Sequence, residues 1–229
     1  MNLSKEQLHQ IKALIAQRGF KDVDVQMEIL DHVASSVEDK MDENPLLSFD
    51  AAVSETHQSF GVMGFSAVAN GIANSIRAKY SRLFWRIFCS AFGYKYVLLL
   101  CFSIFGIYKM EGLLTKDNFY MFFVLAMLLV FGVLIFSYIN IQVSGYKKYL
   151  SFKSGNSFLS LLGADLIFTN LIVNNTPSEL TIFSINVQQL VVSLSIILFV
   201  LYFNAAIRTA RAGIRETKSL MEKYKLLYS

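Results

Sequence analysis

Charge, proline and cysteine are all scarce in this 229-residue sequence. Charged residues make up 17% of it against 54% hydrophobic ones, and the mean hydropathy is +0.46; an ordinary soluble domain carries about 25% charged residues. That balance points to a chain that lives in a bilayer. Two prolines and twelve glycines exclude a collagen-like or low-complexity chain, and two cysteines cannot staple a secreted disulfide fold. Cys89 and Cys101 lie beside or within apolar sequence, where a thiol behaves as a small hydrophobe. Also missing are a Gly-x-x-x-x-Gly-Lys-Ser/Thr loop, a Gly-x-Ser-x-Gly elbow and a Cys-x-x-Cys pair. The sequence therefore offers no catalytic residue, no metal site and no cofactor site, and it does not read as an enzyme.

The charge that is present is unevenly spread. Residues 1–60 hold five bases and eleven acids, and the rest of the chain holds sixteen bases and six acids. A pI near 9.0 would suggest nucleic acid if the bases formed one patch on a soluble face. Here they flank apolar runs, as anionic headgroups and the positive-inside rule demand, so the expected partners are membrane lipids and not nucleic acid. The first residues, Met-Asn-Leu-Ser-Lys-Glu followed by an amphipathic pattern, do not form a secretory signal, so the N-terminus is expected in the cytoplasm.

Residues 1–64 read as an acidic three-helix domain. Ser4 with Gln7 fits a capping box, Leu8, Ile11 and Ile15 follow at helical spacing, and Gly19 supplies a left-handed stop. A second helix is expected from Asp22 or Asp24, with Leu30, Val33, Val37 and Met41 along one stripe and Glu28, Asp31, Glu38, Asp39 and Lys40 on the other face. Asn44-Pro45 breaks it, Ser48 caps a third helix with the stripe Phe49, Val53, Thr56 and Phe60, and Gly61 and Gly64 end that one. Glu28 and His32 stand at i and i+4 with Asp31 nearby. That pair reads either as locally hydrogen-bonded surface residues or as a cation-binding or pH-sensing element; a helical zinc site would want a second histidine on the same face, while His9 and His57, on other helices, leave open a site of three histidines.

Leu30-Asp31-His32, Val37-Glu38-Asp39-Lys40-Met41, Ser48-Phe49-Asp50-Ala51-Ala52 and the closing Phe60-Gly61 give residues 4–64 a resemblance to the HAAS-type signalling domains. Those are short helical modules that precede transmembrane helices and are often encoded beside PadR-type transcription regulators. The resemblance implies regulation or partner binding, supplies no catalytic residues, and covers none of the membrane region.

Residues 65–92 read as a basic amphipathic connector. Val68, Ile72, Ile76, Tyr80, Leu83 and Ile87 keep a helical stripe among Arg77, Lys79, Arg82 and Arg86, and Trp85 suits an aromatic belt. Such a helix either lies on the membrane with its bases toward anionic lipid or packs on the N-terminal domain; the apolar run that follows favours the membrane surface. Four apolar runs come next within residues 93–207: about 93–110, 119–141, 157–173 and 183–207. Each approaches the ~20 residues that cross a ~30 Å hydrocarbon core. Bases cluster before the first run, between the second and third (Lys147, Lys148, Lys153), and after the fourth (Arg208, Arg211, Arg215, Lys218), so these flanks belong to the cytoplasm. Four crossings satisfy that alternation, with residues 208–229 a basic cytoplasmic helical tail; three would put the tail outside.

Asp165 is an acid inside the third run, accompanied by Asn170 there and by Gln188 and Gln189 in the fourth. A carboxylate at the bilayer centre costs at least about 2.5–3.5 kcal/mol, so it must face the bundle interior, find a partner or be protonated, unless the third run is a shallow or re-entrant segment that leaves Asp165 near water. The expectation is an all-α, polytopic protein of the bacterial cytoplasmic membrane, with both termini cytoplasmic and a regulatory or accessory role. Its head would bind a protein partner through Glu28, Asp31, Glu38 and Asp39. The alternative is a small transporter or transporter subunit built on Asp165. Four helices with few prolines leave room for a homo-oligomer, although no Gly-x-x-x-Gly motif marks an interface.

Overall fold

Ser4 opens the first helix through a full capping box: its hydroxyl accepts the Gln7 N–H at 3.3 Å, and the Gln7 side chain accepts the Ser4 N–H at 2.8 Å. This computed structural model describes residues 3–60, 65–113, 143–161, 180–182 and 185–228, with single positions at 125, 129, 132, 167, 171 and 175. Helix α1 (Lys5–Gln17) ends where Gly19 adopts φ +78°, a conformation that costs a glycine little. Helix α2 (Val23–Glu43) stops at Asn44, and α3 (Phe49–Ser59) starts where the Ser48 hydroxyl accepts the Ala51 N–H at 3.3 Å. There follow α4 (Phe65–Ser90), α5 (Tyr94–Leu113), α6 (Val143–Tyr146), α7 (Leu150–Asn156) with a 3₁₀ turn at Ser157–Leu161, and α8 (Val187–Tyr228). The described chain is mostly helical. An antiparallel ladder of two-residue strands, β1 (Thr181–Ile182) and β2 (Ile185–Asn186), pairs Thr181 with Asn186 and Ile182 with Ile185.

Contacts divide the chain into two compact units. The first takes Met1–Ser81, Ser144–Ser154 and Gly213–Ser229. Its core is aliphatic: Ile11, Ile15, Val25, Ile29, Val33 and Val37 are closed off by Ala52, and Phe65, Ala69 and Leu150 join the same cluster. The unit is thus larger than residues 1–64. Three amphipathic helices that short leave apolar edges uncovered, and the first turns of α4 and the start of α7 cover them. Ile72, Ala73 and Ile76 pack there too, so this part of α4 follows the second of the two readings open to the connector.

The second unit takes Arg82–Val143 and Gly155–Ala212. Phe84 is fully buried, stacked on Phe158 at 4.1 Å between ring centres and edge-on to Tyr202 at 5.0 Å, with Ala205 and Ala206 against it. The helix of the fourth apolar run starts at Val187, after the ladder. Asn186 explains the position: its side-chain oxygen accepts the Gln189 N–H at 3.1 Å and caps the first turn. Over Val187–Lys223 this helix is long and apolar enough to cross a membrane, its most apolar stretch having a mean hydropathy of 2.5 with 33% of it buried. A core helix of a soluble protein would be mostly buried. Helices α4 and α5 meet the same length and composition test together, as a pair bent by 68°, so the described residues hold one such helix, or two if the bent pair counts as one span.

Candidate functional site

Asp24 is a carboxylate with 5% exposure in the first unit, and burying a charge is costly unless hydrogen bonds compensate it. They do. Its two oxygens accept the Leu150 N–H at 2.8 Å, the Ser151 N–H at 2.7 Å and the Ser151 hydroxyl at 2.8 Å. A helix start leaves its first N–H groups without partners inside the helix and favours negative charge; α7 finds both in a side chain 126 residues earlier. Two further bonds fix the same junction. The Val23 N–H donates to the Lys148 carbonyl at 2.8 Å, and Lys153 forms an ion pair with Asp22.

A second polar group lies on the other side of this junction. The Tyr80 hydroxyl donates to Glu216 at 3.0 Å, and Lys79 pairs with the same carboxylate oxygen. Tyr80 is 1% exposed. Burial first, and then the Glu216 charge, hold its phenol protonated far above the ordinary tyrosine range, while Ser151 acts the other way. Tyr149 is raised as well, by burial and then by the Asp24 charge.

Between these groups opens a cavity of about 430 Å³. Asp24, Glu28 and His32 of α2 line it, with Ile72, Ile76 and Lys79 of α4, Ser151 of α7, and Glu216 and Leu220 of α8. Three carboxylates, one ammonium and one imidazole therefore share a recess whose lining is mixed, with Ile72, Ile76 and Leu220 as its larger apolar members. Glu28 and His32 are 4.0 Å apart on the exposed side. Among the described residues no three His, Cys, Asp or Glu side chains gather as a metal set. His57 contacts Arg18 at 3.1 Å and sits edge-on to Phe65, away from that pair.

The structure divides the acidic face expected from sequence. Glu28 lines the cavity, Asp31 and Asp39 are exposed, and Glu38 accepts the Leu3 N–H at 2.9 Å. Of the four bases expected at lipid, Arg77, Arg82 and Arg86 are exposed, and Lys79 is the one engaged by Glu216. Gln188 and Gln189 fall in the first turn of α8, where the Gln189 carbonyl accepts the Ser193 hydroxyl at 2.9 Å. Asp165 and Asn170 lie outside the described residues. Sequence spacing did not single out Asp24, Ser151, Tyr80 or Glu216 as a group, because their partners are far apart along the chain. The available hints were weak: an acid in the first turn of α2, a tyrosine in the connector's apolar stripe and an acid within a basic tail. No protein-family model, no curated protein and no solved structure matches the chain.

Proposed function

We propose that this chain is a polytopic regulatory or accessory protein of the bacterial cytoplasmic membrane, acting by non-covalent binding and not by catalysis. It crosses the bilayer about four times with both termini in the cytoplasm, and its acidic head captures a protein partner that presents basic residues. The observation that carries this reading is the membership of the first unit. The head, residues 144–154 and residues 213–229 belong to one body, and two of these segments carry the basic flanks that the positive-inside rule assigns to the cytoplasm. A chain that leaves such a body at residue 81 and rejoins it at 144, then leaves at 154 and rejoins at 213, crosses an even number of times in each excursion. Each excursion has room for two spans of ~20 residues, with α5 supplying one and α8 another.

The surface of the second unit supports the same reading. Leu98, Leu99, Phe102 and Phe105 of α5 are exposed, and no described residue of α5 is buried. Such a surface suits hydrocarbon, while Arg82, Arg86, Trp85 and Tyr94 at its start suit anionic headgroups and the interface. The likeness of residues 4–64 to HAAS-type modules adds the regulatory role. Affinity capture from detergent, using the full chain beside Glu28→Lys/Asp31→Lys, tests the partner claim. The expected result is a protein identified by mass spectrometry with the wild type and lost with the charge reversal; undiminished capture by the variant would overturn the assignment.

A further inference from the structure

The start of α7 is built into the head, although in sequence it lies between two apolar runs. Leu150 belongs to the head's aliphatic core, Asp24 receives three hydrogen bonds from Leu150 and Ser151, and the Val23 N–H holds the Lys148 carbonyl. In sequence this segment is short. The uncharged stretch that ends at Tyr146 lies on one side of it, and the third apolar run begins at Ser157 on the other. Little slack separates the membrane runs from the contact. Asp24 stands in the first turn of α2, and Glu28, one turn further on the same face, lines the same cavity as Asp24 and Ser151.

We infer that Asp24 and residues 148–153 form a latch that relays a tilt or shift of the membrane runs to the first turns of α2, and so to the acidic surface carrying Glu28. This rests on the membrane-anchored reading given above. The physical logic is that a membrane helix answers a change in bilayer thickness by tilting, and a short covalent connection passes that movement to the latch. The latch holds by charge-assisted hydrogen bonds whose geometry is narrow, so it is either closed or open and does not stretch.

The test is hydrogen exchange read by mass spectrometry on the full chain in lipid nanodiscs of two acyl-chain lengths. In the wild type, peptides covering 148–153 and 23–28 change protection together, and in the same sense, when the bilayer is thinned. In Asp24→Asn the 148–153 peptide exchanges about tenfold faster or more, as expected for losing charged hydrogen bonds, and the 23–28 peptide no longer follows thickness. Ser151→Ala removes one donor and keeps both backbone bonds; it gives the same loss of coupling to a smaller extent and guards against an Asp24 variant that does not fold. A 23–28 peptide that follows thickness as strongly in both variants as in the wild type overturns the latch, and so does a wild type in which neither peptide responds. Chain recovered outside the nanodiscs would instead overturn the membrane reading itself.

Discussion

The two units differ most in what they leave exposed. The head encloses Ile11, Ile29, Val33 and Val37 and, Asp24 apart, keeps its acids at least partly exposed, which is the arrangement water imposes. In the second unit the buried positions of α8 are large and small alike, Val192 and Phe199 beside Ser193, Ser195, Ala205, Ala206, Thr209 and Ala210, while Leu194, Leu198 and Val200 are exposed. The hydroxyls need no distant partner: Ser193 and Thr209 donate to the carbonyls four residues back, at 2.9 and 2.8 Å. In hydrocarbon, apolar side chains gain nothing by hiding from solvent, so close packing of small residues drives association. The contrast therefore lies at the surface, where the second unit exposes large apolar side chains such as Leu98, Phe102 and Leu198, as the membrane setting proposed for it requires.

The largest test of this contrast is a cavity in the head. Ile29 is fully buried, and Ile29→Ala should cost about 2–5 kcal/mol. Hydrogen exchange across α1–α3 should rise accordingly, while Phe102→Ala, at a position 73% exposed, should leave stability in detergent nearly unchanged. Equal losses would erase the contrast. Next comes a charge on the outward face of α5. Phe102→Arg should penalise membrane insertion by about 2.5–3.5 kcal/mol, seen as a smaller membrane-integrated fraction, whereas the same change on a water-facing helix would be harmless.

Alkaline pH gives a smaller effect confined to the first unit. The folded state holds the Tyr80 proton more tightly than the unfolded chain does. The stability this provides is complete below the ordinary tyrosine value of about 10 and is lost as pH rises beyond it. The unfolding midpoint should therefore fall above about pH 10, and fall less in Tyr80→Phe; a slope that the substitution does not alter would remove Tyr80 from the explanation. Smallest is Lys79→Ala. That lysine is 55% exposed where it pairs with Glu216, and solvent screening limits the loss to about 0–1 kcal/mol in thermal unfolding.

Much of the head was legible in sequence because its signals are local. The Ser4 capping box, the Gly19 turn, the Asn44 break and the Ser48 cap each involve residues a few positions apart, and all are found where the spacing put them. The Leu30, Val33 and Val37 stripe is buried for the same reason. In the connector the buried positions are Phe65, Ala69, Tyr80 and Phe84, so Ala69 and Phe84 are buried where Val68 and Leu83 were expected. An adjacent pair of apolar residues does not reveal which one faces inward. The Asp24 junction was not legible at all. Nothing in the sequence near Asp24 signals a partner at Leu150 and Ser151, because that pairing arises only when the chain has returned from its first excursion.

That return is the central claim, and cysteine-accessibility mapping in sealed membrane vesicles tests it most directly. In a Cys89→Ser/Cys101→Ser background, single cysteines replace Ser35, Lys147, Lys218, Lys116 and Ser178 in turn, and a membrane-impermeant maleimide is added before and after permeabilisation. The first three positions should be labelled from the cytoplasmic side together, and Lys116 and Ser178 from the opposite side. Labelling of Lys147 from the side opposite to Ser35 would contradict the account, because residues that share one folded unit would then be separated by a bilayer.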